Sequence, residues 1–312
     1  MTCLACLHAV KTFVAVTDND WFDFLSRQEG LTEVNFWQPG GGRQFRALAP
    51  GQPLLFKLHA PQNAIAGGGF FATFSILPMS LAWQTFGIQN GTPSRDVMHE
   101  RIEYYRDVPH DPQADYSIGC IVLEDPFFLN ERDWIPAPED FSPNTVVGKT
   151  YDLTTPTGAA LWERVAGARA LTYHQGAEPA MYGEPTLFRP RLGQGAFRVV
   201  VTDAYERHCA VTGERTLPVL EAAHIRPVAR GGGHRLDNGL LLRSDVHTLF
   251  DSGYVTVTPD YRFCVSLRLR ADWQNGQVYY ALDRQPIHVP RDSAAQPSHT
   301  ELEWHADTVF LR

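Results

Sequence analysis

Cysteine is scarce in this chain, long apolar runs are missing, and positive charge is in deficit. The five cysteines, Cys3, Cys6, Cys120, Cys209 and Cys264, are odd in number and widely scattered, which argues against a disulfide framework. Cys3 and Cys6 form a CxxC, but no second CxxC completes a four-thiolate zinc site. No apolar stretch approaches the roughly 18 residues a membrane-crossing helix needs. The opening MTCLACLHAVKTFVAV lacks a basic leading segment and a clean small-residue cleavage site. The expectation is therefore no signal peptide, no membrane partner and a cytoplasmic location.

What is present is a globular composition over 312 residues, enough for two ordinary domains or one large one. An apolar fraction of 44% supplies material for real cores. The net charge of −8 speaks against nucleic acid as a partner, until its distribution is read. Nine arginines and no lysine lie between Arg189 and Arg243, against five acids. That is a local +4, leaving −12 on the remainder. Arginine grips phosphate bidentately, so this stretch is the candidate nucleic-acid face.

Along the first half, KTFVAV (11–16) reads as a strand, and DNDWFDFLSRQ as a helix capped by Asp18 or Asn19. Strands are expected after the PGQ turn at PLLFKL, over 64–78 and over 117–129. Three glycines in the 64–78 strand permit a close approach of backbone or ligand. Helices are expected at SLAWQTFG, closed by Gly87, over 94–107 and over 157–171. A Gly/Pro-rich stretch at 174–195 reads as a connector. The division expected is 1–150, then a helix and connector at 151–195, then 196–312.

In the last third, AFRVVVTDAYERHCAVTG joins a strand or short helix to a turn, and LPVLEAAHIRPV reads as a strand ending at Pro227. ARGGGHRLDN is a loop, and GLLLRSDVHTLFDSG a helix closed by Gly253. YVTVTPDYRFCVS is a hairpin turned at Pro259 and Asp260, and the tail returns as a strand or short helix. His247 and Asp251 are four apart, so they share one helix face and together can hold a divalent cation. His224, facing them from the strand, can take a proton from water. Together these groups form a plan for one-metal phosphodiester hydrolysis.

The segment from Arg207 to Gly253 resembles the HNH, or ββα-metal, nuclease family. The resemblance rests on HIRP at 224–227, the Gly-rich loop, the Asp237–Asn238 pair and a His nine residues after that Asn. It implies that His224 is the general base, that Asn238 braces the loop and holds the base in place, and that His247 binds metal. Some members place a further ligand four residues past that His, here Asp251. Two departures stand out. The residue before the base is commonly a metal-binding Asp or His, and here it is Ala223, so Asp251 or else Glu221 must supply the carboxylate. Cys209 stands alone where many members carry paired CxxC motifs, so no structural zinc is expected. The ion implied is Mg²⁺ or Mn²⁺. Arg226, Arg230 and Arg243 are candidate phosphate contacts, and His234 reads as a plain loop residue.

The first 150 residues resemble the PUA-like group, close to EVE domains, on element order and on the GGGFF strand followed by AW and FG. That resemblance implies a modified base flipped into an aromatic-walled pocket. Trp21, Phe36, Trp37, Phe56 and Trp83 are candidate walls, Trp37 foremost because it adjoins the QPGGG turn. Asn19, Asn35 and Asn63 are candidate readers of a base edge. The fold expected is α+β, an N-terminal PUA-like β-barrel followed by a C-terminal ββα-metal HNH nuclease. The function expected is restriction of double-stranded DNA bearing modified cytosine, with two copies of the chain cutting two strands. Three alternatives stand beside it: a sequence-reading HNH nuclease, a catalytically dead reader of DNA or RNA, and an RNA-directed enzyme.

Overall fold

The computed structural model describes residues 10–42, 44–173 and 192–312. Cys3 and Cys6 lie outside the described residues, as do Arg189, Arg191 and most of the expected connector. The chain is α+β and divides into two compact units, Met1–Pro190 and Arg191–Arg312. Among the described residues, no helix is long and apolar enough to cross a membrane.

The first unit runs β1 (Lys11–Thr17), α1 (Asn19–Ser26), β2 (Glu33–Gln38), β3 (Pro53–Leu58), β4 (Ala64–Pro78), α2 (Met79–Phe86), α3 (Arg95–Arg106), β5 (Ser117–Phe128), β6 (Ile135–Pro136), β7 (Gly148–Asp152) and α4 (Pro156–Tyr173). The strands make one sheet in the order β2-β5-β4-β3-β1-β7, with β6 added against β4. β1 and β3 are parallel, and the other pairs are antiparallel.

Local chemistry accounts for these elements. Asp18 Oδ1 accepts the Trp21 N–H at 2.7 Å and caps α1, a contact worth about 1 kcal/mol. Trp21, Phe22 and Leu25, at helical spacing, are then buried against the sheet with Phe36 and Phe56. In β4, a Cβ on Gly67 would fall 2.3 Å from the Phe127 carbonyl oxygen. The close approach that this glycine run permits is therefore to neighbouring backbone. α4 buries Leu161 and Val165 with Val14, Leu55 and Tyr151, so this helix belongs to the first unit's core. β2 arose from no sequence expectation.

The second unit runs α5 (Gln194–Ala204), β8 (Leu220–His224), β9 (Gly239–Arg243), α6 (Ser244–Asp251), β10 (Val255–Val257), β11 (Phe263–Val265), α7 (Leu267–Trp273), α8 (Gln277–Tyr280) and α9 (His299–Thr308). β8 pairs antiparallel with β9, and His224 lies opposite Gly239. The GLLL run is a strand, not the start of the helix. Leu240, Leu241 and Leu242 are all fully buried, and an apolar run covered on both faces shows no alternation to read. α6 begins at the residue directly after β9, with no intervening loop. Phe197 and Val201 of α5, Val246 and Phe250 of α6 and Leu302 of α9 enclose the core around β9.

Candidate active site

His224 ends β8 half-buried, its ring stacked on Phe197 at 4.1 Å between centroids and 11° between planes. Its Nε2 lies 3.0 Å from Nδ1 of His234. Burial, with the positive charge that His234 and His247 would add, pulls its pKa down to about 4. The ring is therefore neutral at ordinary pH and has a lone pair to offer.

The loop between β8 and β9 is tied at both ends by Asn238, which is fully buried. Its Oδ1 accepts the Arg226 N–H at 2.9 Å, and its Nδ2 donates to the carbonyls of Arg226 at 2.9 Å and Gly233 at 3.0 Å. Within this loop a Cβ on Gly232 would sit 1.8 Å from the Arg226 carbonyl oxygen, so only glycine fits.

α6 presents His247 and Asp251 on one face, with His247 Nε2 at 3.3 Å from Asp251 Oδ2. The other edge of the same ring meets β8, where Glu221 Oε2 accepts Nδ1–H at 2.6 Å. A carboxylate on Nδ1 fixes that hydrogen and leaves the Nε2 lone pair beside Asp251. Partial burial and the nearby Glu221 charge raise the Asp251 pKa, and His247 opposes them. Donor chemistry and spacing suit a divalent cation, because neighbouring ligand atoms on one such ion lie about 3 Å apart. Glu221 occupies the far edge of the imidazole, so its place is behind His247 rather than beside Asp251.

A cavity of about 280 Å³ is lined by His224, Arg230 and Asp251, with Pro227 and the buried His305 on its wall. Of the three arginines expected to meet phosphate, Arg230 is exposed, and among the described residues its guanidinium has no partner. Arg226 is engaged otherwise. Its Nε donates to the Arg230 carbonyl at 2.7 Å, and its guanidinium lies 5.1 Å from the Trp304 ring centroid. Arg243 is held in a two-pronged pair with Asp245, at 2.6 and 2.7 Å. Sequence reasoning missed the His224–His234 contact and the Phe197 stack. The Gly-rich loop gave the signal for the first, since it folds residue 234 back over the strand end. Cys209 is buried, and its Sγ accepts the Arg243 N–H at 3.3 Å.

The first unit holds a separate cavity of about 790 Å³, walled by Trp21, Phe36, Trp37, Phe45 and Tyr105. Trp37 is fixed by its Nε1–H, which donates to the Asn90 carbonyl at 2.8 Å. The buried Trp21 leaves its own Nε1–H without an acceptor among the described residues. Asn63 does not line this cavity. It is exposed at the turn before β4, and its Oδ1 accepts from Lys57 Nζ at 2.9 Å. Phe56 lies wholly in the core, and Asn35 is buried in a pair with Asn90. Polar side chains at the cavity wall come instead from Asp18, Gln38, Gln44, Arg46 and His59.

Residues 209–258 match the family model described as HNH endonuclease. No curated protein matches the chain. Among solved structures, ASCH from Zymomonas mobilis is similar at a TM-score of 0.34 and 10% identity, over 49% of this chain and 94% of its own. A modification-dependent restriction endonuclease, TagI, is similar at a TM-score of 0.31 and 14% identity, over 95% of this chain and 81% of its own. The Type IV phosphorothioation-dependent restriction endonuclease ScoMcrA is similar at 0.21 and 14%, over 76% of this chain and 48% of its own.

Proposed function

We propose that the HNH endonuclease domain at residues 209–258 hydrolyses phosphodiester bonds of double-stranded DNA, and that the first unit's aromatic cavity restricts cutting to DNA carrying a modified base. The observation that carries the nuclease chemistry is the shared cavity of His224, Arg230 and Asp251, with His247 beside Asp251. In this reading His224 donates Nε2–H to His234, which leaves the His224 Nδ1 lone pair free to take a proton from water. Arg230 takes a phosphate oxygen. His247 and Asp251 hold a divalent cation, Mg²⁺ or Mn²⁺, which when bound stabilises charge on the phosphate and the leaving oxygen. Glu221 keeps His247 in the tautomer this requires. Asn238 keeps the loop closed, so that His224 and Arg230 stay on the same cavity.

The second half of the reading rests on the 790 Å³ cavity and its aromatic walls. A base can be inspected on all edges only after it leaves the stack, which takes a few kcal/mol. Stacking on Trp37 and Phe36 offsets that loss, and the glutamines and His59 offer hydrogen bonds to the base edge. Cytosine carrying a substituent is the base class favoured.

The deciding experiment is digestion of one DNA sequence prepared unmodified, methylated, hydroxymethylated and glucosylated, in the presence of Mg²⁺ or Mn²⁺. Cutting of one or more modified forms, with the unmodified form spared, is the expected result. Equal cutting of all forms removes the modified-base reading and leaves the nuclease. Absence of nicking on every form with either ion removes the nuclease reading as well.

A further inference from the structure

Helix α3 carries His99 and Glu103 four residues apart on one face, and both are buried. Asp107 ends the helix in the left-handed conformation, at φ 53°, and turns the chain back over that face. His110 then returns to Glu103, Nδ1 to Oε2 at 2.7 Å. His99 Nε2 lies 3.7 Å from the other carboxylate oxygen. One ligand-type atom from each residue lies within 4.8 Å of both others, a convergence that no other trio of His, Cys, Asp or Glu achieves among the described residues. All three belong to the first unit, and none takes part in the nuclease site.

We propose that His99, Glu103 and His110 form a binding site for a divalent metal ion of the zinc class. Two imidazole nitrogens and one carboxylate are a donor set that zinc accepts, with a fourth position left to water. Bonds of about 2.0–2.1 Å in a tetrahedron hold ligand atoms roughly 3.4 Å apart. The observed distances, 2.7 Å from His110 to Oε2 and 3.7 Å from His99 to Oε1, lie on either side of that spacing, with one imidazole at each carboxylate oxygen. The adjustment falls to His110, whose side chain is 62% exposed.

The surrounding groups are arranged to orient the carboxylate. Glu103 Oε1 accepts the Asp111 N–H at 2.8 Å and the Tyr116 hydroxyl at 3.3 Å. Such contacts hold a ligand in place without occupying the metal. In the metal-free protein, His99 Nε2–H donates to the Ala114 carbonyl at 3.1 Å. On binding, that hydrogen and the one between His110 and Glu103 give way to the ion, and each ring carries its hydrogen on the other nitrogen. The ion would pin residues 107–116 to the end of α3, next to Tyr105 on the aromatic cavity. This is a site without cysteine, and a search confined to CxxC pairs passes over it.

The test is calorimetric titration of Zn²⁺ into the full chain carrying His247→Ala, Asp251→Ala, Cys3→Ser and Cys6→Ser, which removes the nuclease ligands and the CxxC. One equivalent is expected to bind and to raise Tm. Adding His110→Ala, at an exposed position, is expected to weaken binding at least tenfold and to abolish the Tm rise. No uptake of zinc, or equal affinity with His110 replaced, overturns the site and leaves a hydrogen-bonded cluster that only closes the loop.

Discussion

His224 and His234 meet nitrogen to nitrogen, Nε2 to Nδ1 at 3.0 Å, and both rings rest against Phe197. With the His224 ring neutral, one hydrogen lies between the two nitrogens. Replacing His224 with Ala is expected to lower the cleavage rate by about 10²–10⁴-fold, the range for loss of a general base. DNA affinity should stay the same, because this ring holds no metal. Plasmid nicking and a gel-shift titration measure the two quantities, and a wild-type rate would remove His224 from the reaction.

The proposed metal ligands and their support separate in a metal titration. Asp251→Ala is expected to raise the Mg²⁺ or Mn²⁺ concentration for half-maximal cutting by at least tenfold. Glu221→Gln keeps the shape but weakens the hold on His247 Nδ1, and a shift smaller than that of Asp251→Ala is expected. If Glu221→Gln has the larger effect, the two carboxylates exchange roles.

Asn238→Ala removes three hydrogen bonds from a fully buried side chain and leaves the Arg226 N–H and carbonyl without their partner. A loss of about 3 kcal/mol in stability is expected. Urea denaturation of the two proteins measures it. A loss below about 1 kcal/mol would mean that the loop closes without this residue.

Acid should destabilise the protein well above the carboxylate range. Burial holds His305 at a pKa of about 4, with Nε2–H donated to the Phe250 carbonyl and the ring stacked on Phe250. His224 is shifted the same way for the same leading reason. Between pH 6.5 and 4 the unfolded chain binds protons that the folded chain refuses, so stability is full above about 6.5 and is lost as pH falls through that window. His305 alone contributes on the order of 3 kcal/mol over the whole span. Denaturation of the parent and of His305→Gln at pH 7.5 and 5 should show the smaller pH dependence in the variant.

Trp37→Ala tests the cavity. Loss of one stacking face is worth about 1–3 kcal/mol per base, so cutting of modified DNA should fall tenfold or more at low enzyme concentration. The residual nicking that high enzyme concentration forces on a short unmodified duplex should be unaffected. An equal fall on both substrates would make Trp37 a structural residue only.

Much of this architecture could be read before any coordinates. Asp18 marks the start of α1 by its hydrogen-bonding chemistry, apolar spacing marks that helix's buried face, and the strands expected over 64–78 and 117–129 correspond to β4 and β5. The spacing of His224, Asn238, His247 and Asp251 marks the candidate site because the proposed chemistry needs fixed separations. Other features depend on register and packing. Glu221 reaches His247 only because β8 lies beside α6, which no spacing along the chain reveals. A tally of arginines does not say that Arg243 already has Asp245 as a neighbour. Asn63 looks like a base reader until the turn places it outside the cavity and against Lys57.

The helix with His247 and Asp251 leaves its strand without a single spare residue, and that strand is zipped to the one ending in His224. The gap between the proposed proton acceptor and the proposed metal-holding pair is therefore set by a ruler made of backbone. One residue inserted after Arg243 would advance the helix by about 1.5 Å and swing its ligands through roughly 100°. Length changes at this junction should silence the enzyme even where every reactive side chain survives.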